Sequence, residues 1–109
     1  MVWCFAESHI GEVETWRTAE TALENALKSA GKDYKINAGD GAFYGPKIDI
    51  KMQDCLGREW QMGTIQVDFQ LPSRFDLSYN DKDGSKKMPI MIHRALYGSF
   101  ERFIGIITE

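Results

Sequence analysis

The sequence predicts a small α+β domain in which an antiparallel sheet is flanked by helices. Three observations point to this class: an amphipathic stripe near the start, strand-like alternation through the middle, and an apolar helix at the end. At 109 residues the chain is long enough for one domain with a thin core. A hydrophobic content of 43% and a charged content of 27% argue against a disordered or low-complexity protein.

Cysteine usage, hydropathy and charge narrow the setting in which such a domain works. Cys4 and Cys55 are far apart and lack the spacing of a disulfide framework or a zinc knuckle, so we expect a reducing compartment. No apolar run approaches the ~20 residues of a membrane span, and the start lacks the basic residues of a signal peptide. We therefore expect a cytoplasmic protein without membrane contact. A net charge of -3 argues against a surface that coats nucleic acid non-specifically.

The first elements are an opening segment and a helix. Residues 1–10 show no sustained period and are interpreted as an atypical opening segment. Residues 12–30 carry an apolar stripe at spacings of three and four, which predicts an amphipathic helix. Gly31 follows it, as glycine commonly does just past a helix end. The polar side of this helix is expected to be a solvated face. The stripe consists of Val13, Trp16, Ala19, Leu23, Ala26, Leu27 and Ala30.

Short strands and turns follow this helix. Residues 34–36 are compatible with a short strand, and residues 47–53 alternate as a second strand with Lys47 and Asp49 on its polar side. Two glycine-bearing turns enclose Phe43 and Tyr44. These two aromatic residues are either a packing plug or the wall of a pocket.

A long strand is predicted for residues 58–71. Its polar side carries Thr64, Gln66, Asp68 and Gln70, which either face solvent or line a site. Gly63 is a plausible bulge position, and a bulge there would turn Gln61 to the same side as Gln66.

The last part of the chain is predicted to form a hairpin and a closing helix. Residues 75–79 and 86–93 are the expected hairpin strands, joined by a strong turn signal at residues 80–85. The final helix begins near Gly98. It is expected to bury four residues, Phe100, Phe103, Ile104 and Ile107.

The corner between the last strand and the last helix, residues 91–103, is the most informative stretch. Such a corner presents backbone N–H groups and a cationic side chain to an anionic ligand. His93 is either a hydrogen-bonded structural residue or a metal ligand. Arg102 is either an exposed helix charge or a group that stacks on a base or pairs with a phosphate.

Three blocks of sequence, in this order, are informative together: residues 41–49, 57–74 and 91–107. They resemble the C-terminal half of the catalytic domain of threonyl-tRNA synthetases, and the resemblance covers residues 11–109. The last block is similar to the third signature motif of class II aminoacyl-tRNA synthetases, a glycine-containing turn followed by Glu101-Arg102 and an apolar helix. The resemblance implies a partial class II catalytic fold and a threonine–tRNA ligase, which activates threonine with ATP and Mg²⁺ and transfers it to tRNA.

The resemblance also implies roles for individual residues. Arg102 corresponds to an arginine that contacts ATP, and Ser99 lies in the turn at the adenosine end. Tyr44 and Lys47 correspond to a pocket aromatic and a lysine near the aminoacyl-transfer site, and these two and Arg102 are the candidate catalytic residues. The residues implied to line the ATP ribose and threonine site are Gln61, Thr64 and Gln66.

Zinc and dimer formation are implied as well. His93 resembles one of three zinc ligands, in a site where the metal selects threonine through its amino and hydroxyl groups. The first two signature motifs of the class are not found in these residues. These residues therefore also lack the dimer-interface element of the expected homodimer, an arginine that binds the α-phosphate, and two of the three zinc ligands. The chain alone is therefore expected to be inactive. The alternatives are a binding module that pairs through an exposed sheet edge, or a product without a function.

Overall fold

The computed structural model describes residues 12–109 and the backbone of residues 2–5. The described elements are, in chain order, β1 (Val2–Phe5), α1 (Val13–Ser29), β2 (Lys35–Ala38), β3 (Lys47–Gln53), β4 (Glu59–Asp68), α2 (Gln70–Arg74), β5 (Tyr79–Asn80), β6 (Lys86–Lys87), β7 (Met91–Ala95) and α3 (Phe100–Thr108). The α+β class is confirmed. The rest of the predicted opening segment, including His9, lies outside the described residues.

The main sheet has five strands in the order β2-β1-β3-β4-β7. β1 pairs in parallel with β2, whereas the β1–β3, β3–β4 and β4–β7 pairs are antiparallel. The sequence pattern of residues 1–10 indicated only an atypical opening segment and did not predict the strand that residues 2–5 form. A run of four residues is too short to predict from its period.

α1 covers one face of the sheet and forms the core with it. Leu23 and Leu27 of the helix are buried together with Ile48 of β3 and Val67 of β4. The helix ends before Gly31, which has a φ of +61°. The predicted helix and its apolar stripe are confirmed in this central part, while Val13 at the first turn is 53% exposed.

β3 and β4 form the longest pairing, and it contains the predicted bulge. Ile50 is paired with Gly63 and Lys51 with Gln61, so Met62 is the extra residue on β4. A side chain on Gly63 would bring its Cβ within 2.9 Å of the Ala95 backbone oxygen. Glycine at this position therefore permits the close passage of the chain after β7.

β4 ends earlier than its sequence predicts. The strand stops at Asp68, and Gln70 and Leu71 belong to the short helix α2. The reason is the Asp68 side chain, whose Oδ1 accepts the backbone N–H groups of Gln70 at 2.8 Å and Leu71 at 3.1 Å. These bonds satisfy the first N–H groups of a helix, as a capping carboxylate does, and they compete with continued strand pairing.

The predicted hairpin is present but shorter, and its second strand is divided. β5 and β6 form a separate two-stranded sheet, with Gly84 in the turn at a φ of +80°. β7 instead pairs with β4. Pro89 lies between β6 and β7 and has no N–H for a ladder, which explains why one continuous strand over residues 86–93 does not form.

The expected burial of α3 was wrong. Phe100, Ile104 and Ile107 are 68%, 60% and 59% exposed, and Phe103 alone of the four predicted residues is half-buried. The ring of Phe103 packs on Tyr97 with centroids 4.5 Å apart. The apolar pattern correctly predicts a helix, but none of the described elements covers its outer side.

Candidate functional site

The sheet face opposite α1 carries most of the predicted site residues. Because side chains alternate along a strand, burial of Ile65 and Val67 against α1 turns Thr64, Gln66 and Asp68 to the other face. The bulge brings Gln61 to that face, as predicted. The polar side of β4 therefore lines a site-like surface, except that Gln70 lies in α2.

Asp49 on β3 links three polar groups of this face. Its carboxylate accepts hydrogen bonds from Gln61 Nε2 and Thr64 Oγ1, each at 2.8 Å. Lys47 Nζ lies 2.9 Å from Asp49 Oδ2. Asp49 is only 1% exposed. A buried carboxylate needs such partners because it has lost its water shell. The contacts hold Lys47, Gln61 and Thr64 in one cluster.

The two aromatic residues between the glycine turns form a cavity wall rather than a plug. The Tyr44 hydroxyl donates to Gln66 Oε1 at 3.0 Å, and Phe43 is 55% exposed. Gly45 lets this segment lie against β4, since a Cβ there would be 1.6 Å from the Val67 backbone oxygen. The cavity has a volume of about 460 Å³. It is lined by Phe43, Tyr44, Gln66, Asp68, Gln70, Leu71, Arg74 and His93.

His93 reaches this cavity from β7 and is held by Asp68. Its Nε2 lies 2.9 Å from Asp68 Oδ2, and β7 pairs His93 with Gln66 in the sheet. Burial opposes ionisation of Asp68, but hydrogen bonds from His93 and from the backbone of Leu71 and Gln70 outweigh it, so its pKa lies below the ordinary value. Among the described residues, no group of three or more His, Cys, Asp or Glu could hold a metal ion.

Arg102 lies at the other end of the cluster, on the first turn of α3. Its guanidinium carbon is 5.0 Å from the centroid of the Trp60 ring, and Nη1 donates to the Gln61 backbone oxygen at 3.4 Å. A second cavity of about 210 Å³ joins Arg102 to Gln61 and Thr64. Gly98 borders it with a φ of +66°, where a Cβ would be 2.7 Å from the Met62 backbone oxygen.

Ser99 begins α3. Its Oγ accepts the Arg102 N–H at 3.4 Å and donates to Glu101 Oε2 at 3.0 Å. The side chain is therefore the N-cap of the helix that carries Arg102. These bonds fix the direction in which α3 leaves the corner after β7.

Asp54 holds Trp60 from the opposite side. Its Oδ2 accepts the indole N–H of Trp60 at 2.9 Å and Arg58 Nε at 2.6 Å. The pKa of Asp54 is lowered to about 2. The largest cause is the hydrogen bond from Trp60, and further hydrogen bonds from Arg58 and from the Leu56 backbone add to it. Together they outweigh burial, which raises the pKa. Trp60 is thus an oriented ring that contacts two arginines, since Arg58 also lies 5.6 Å from its centroid.

A family model described as the tRNA synthetase class II core domain (G, H, P, S and T) matches residues 2–109. The chain belongs to this class II core family. The threonine–tRNA ligases of Clostridium tetani and Clostridium botulinum strain Okra are each 59% identical to it over 103 residues. The match covers 94% of the chain but 16% of each relative, so the chain spans about a sixth of their length. The predicted homology to threonyl-tRNA synthetases is confirmed.

Solved structures agree with this family. The RNA-binding domain of threonyl-tRNA synthetase from Cryptosporidium parvum Iowa II superposes with a TM-score of 0.85 at 51% identity, covering 97% of the chain and 27% of that protein. A protein assigned as threonyl-tRNA synthetase ThrRS-1 of Aeropyrum pernix gives 0.78 at 37% identity, over 97% and 26%. None of the helices in the described part of the chain is both long and apolar enough to cross a membrane.

Sequence reasoning missed several residues of this candidate site. Asp49 and Asp68 lie on the predicted polar strand faces but are not among the predicted site residues, although both are nearly fully buried. Trp60 and Arg74 are not among the predicted site residues either. Alternation gives the face of a strand residue, but not whether that face is covered by turns such as the one at Tyr44. Of these four residues, Trp60 alone has a sequence feature that could have indicated a site residue, because it is a large aromatic residue directly before Gln61.

Proposed function

We propose that the chain is part of the catalytic core of a threonine–tRNA ligase and forms one wall of the site for ATP, threonine and the tRNA end. In this proposal it is the C-terminal half of a class II catalytic domain, including the third signature motif. The observation that carries the proposal is the single polar sheet face on which Asp49 gathers Lys47, Gln61 and Thr64. Arg102 lies beside one end of this cluster and His93 beyond the other.

The end near Arg102 is proposed to bind ATP with its Mg²⁺. A guanidinium that is already stacked on Trp60 and bordered by glycine has one face and several N–H groups for a flat base or a phosphate. Gln61 and Thr64 would lie toward the ribose. Charge developing on the α-phosphate, as the threonine carboxylate attacks in line, would be stabilised by such fixed donors.

The larger cavity is proposed to hold threonine and the terminal adenosine of tRNA. Tyr44, Gln66 and Phe43 supply an aromatic and amide wall, and Lys47 supplies a positive charge nearby. The C. parvum neighbour is named as an RNA-binding domain, which supports RNA as a partner. The parent protein is further proposed to be a homodimer that assembles outside these residues.

His93 is proposed as one ligand of a zinc ion whose other ligands come from outside the described residues. The side chain of His93 suits one zinc-ligand position, because the contact between its Nε2 and the Asp68 carboxylate fixes the orientation of the imidazole ring. Carboxylates contact zinc-bound histidines in the same way. When bound, the metal would supply a contact to the threonine hydroxyl that valine cannot make. Tyr44 and Gln66 would then orient the substrate beside it.

A chimaera tests the proposal. This chain would replace the matching 103 residues of the Clostridium tetani threonine–tRNA ligase. We expect threonine-dependent ATP–pyrophosphate exchange and tRNA charging. Arg102→Ala in the chimaera should lower kcat/KM by about 100-fold, because it removes a fixed charge from the transition state.

Two controls accompany this test. Lys28→Ala removes an exposed helix charge remote from the proposed site and should leave exchange unchanged. The 109-residue chain alone should show no exchange. A soluble, folded chimaera without activity would contradict the proposed function, and activity of the isolated chain would contradict its dependence on missing partners.

A further inference from the structure

Asp49 contacts Gln61, Thr64 and Lys47, and its chemistry restricts how these side chains can be oriented. An ionised carboxylate only accepts hydrogen bonds, so each group that contacts it must donate. Gln61 therefore turns its amide nitrogen to Asp49, and its Oε1 faces away. Thr64 gives its single hydroxyl proton to the same carboxylate oxygen at 2.8 Å, a shorter contact than the 3.3 Å to the Ile48 backbone oxygen.

Gln66 has the opposite polarity five residues along the same strand. Tyr44 donates to its Oε1, so Gln66 presents its amide N–H groups. The two glutamines thus have different outward groups, although they are the same residue type on the same face. Gln61 and Thr64 offer acceptors, and Gln66 offers a donor.

We propose that Asp49 is a positioning residue, which sets Gln61 and Thr64 as hydrogen-bond acceptors for a ligand hydroxyl or ammonium and holds Lys47 beside them. The inference rests on the proposed function, since it concerns the same ATP and threonine surface. Burial of Asp49 makes the arrangement rigid, because rotating Gln61 would place its oxygen against a carboxylate that water cannot reach.

Side-chain amide NMR of the 109-residue chain tests Asp49 directly. In the wild type, the Gln61 side-chain NH₂ should exchange with water about tenfold more slowly than that of Gln53, an exposed residue of β3. In Asp49→Asn only one acceptor oxygen remains for the three donors Gln61, Thr64 and Lys47. Exchange of the Gln61 side-chain NH₂ with water should therefore accelerate about tenfold. Backbone amides of β3 and β4 should keep their protection, which separates repositioning from unfolding.

Asp81→Asn is the matched control. Asp81 also pairs with a lysine, Lys87, but in the exposed hairpin turn, so its substitution should leave Gln61 unchanged. If Asp49→Asn does not fold, the inference is tested by the wild type alone, through the exchange rates of the Gln61 and Gln53 side-chain NH₂ groups. Equal exchange of these two side chains, or a Gln61 signal indifferent to Asp49→Asn in the folded variant, would overturn the inference.

The chimaera provides a second readout on ligand polarity. The preference for ATP over its 2′-deoxy and 3′-deoxy analogues, measured as a ratio of kcat/KM, should fall about tenfold in Asp49→Asn for at least one analogue. An unchanged ratio for both analogues would contradict the acceptor role. An inactive chimaera would count against the proposed function, whereas the NMR result for Gln61 would still support or overturn the role of Asp49.

Discussion

Trp60 is the residue that links Arg102 to the sheet. Its ring faces Arg102 at 5.0 Å, its indole N–H is bound by Asp54, and Gln61 follows it directly in β4. A guanidinium over an indole gains about 0.5–1 kcal/mol when exposed and more when desolvated. Held in this way, Arg102 loses less freedom when it binds a ligand than a solvated arginine would.

Removing the aromatic face should therefore weaken ATP binding. In the chimaera, Trp60→Leu is expected to raise the KM for ATP about fivefold, while Trp60→Phe, which keeps an aromatic face, should have a smaller effect. Arg58→Met removes the other arginine on the ring and should leave KM nearly unchanged. Steady-state ATP–pyrophosphate exchange measures all three. Equal KM values for Trp60→Leu and the wild type would show that the ring does not position Arg102.

Asp54 gives a pH-dependent prediction. Its pKa is about 2 in the folded chain and 3.8 ordinarily, so the folded state favours the ionised form. The resulting stabilisation is complete above about pH 4 and is lost as the pH falls toward 2. Asp54→Asn should be less stable than the wild type at neutral pH, and the difference should shrink between about pH 4 and pH 2.

Urea unfolding of both proteins at several pH values measures this effect. Carboxyl ¹³C NMR gives the folded-state pKa directly. A titration midpoint for Asp54 at its ordinary value, or a stability difference that does not vary below about pH 4, would contradict the prediction.

At the scale of elements, the sequence predicts what local patterns determine. The α1 stripe, the β3 alternation and the bulge at Gly63 follow from period and glycine placement, and all three are confirmed. The end of β4 could not be predicted in this way, since it depends on the Asp68 side chain binding the N–H groups that follow. Here a local bond from a side chain to the backbone decides the boundary, although the strand pattern itself continues to Leu71.

Gly45 shows how one turn positions the cavity wall. Gly45→Ala should destabilise the chain by about 3 kcal/mol, because its Cβ would overlap the Val67 backbone oxygen and push Tyr44 away from Gln66. Gly105→Ala is the matched control. Gly105 lies within α3, and a Cβ added there would have no neighbouring atom within 4 Å, so alanine should stabilise the chain by about 0.5–1 kcal/mol. Urea unfolding that shows equal effects for the two variants would refute this role of Gly45.

At the scale of the whole molecule, the chain has the features of a part of a larger core. Its radius of gyration is 16.2 Å, whereas a compact domain of this length has about 13 Å. Large apolar side chains are exposed on α3 and around β7, among them Ile92 at 65%. β7 also has an unpaired edge within the described sheet. The sequence predicts which of these residues are apolar, but not that the described fold leaves them exposed.

The outer face of α3 should therefore behave differently in the chain alone and in the chimaera. Ile104→Ser with Ile107→Ser should change the stability of the isolated chain by no more than about 0.5 kcal/mol, since both side chains are exposed there. The same pair should destabilise the chimaera by about 2 kcal/mol or more, because the surrounding core would then cover them and lose buried apolar area. Urea unfolding measures both effects. The substitutions should also reduce binding of a hydrophobic dye to the isolated chain, but not to the chimaera. Equal small effects in the two proteins would show that α3 stays exposed in the larger enzyme, and its apolar face would then need another partner.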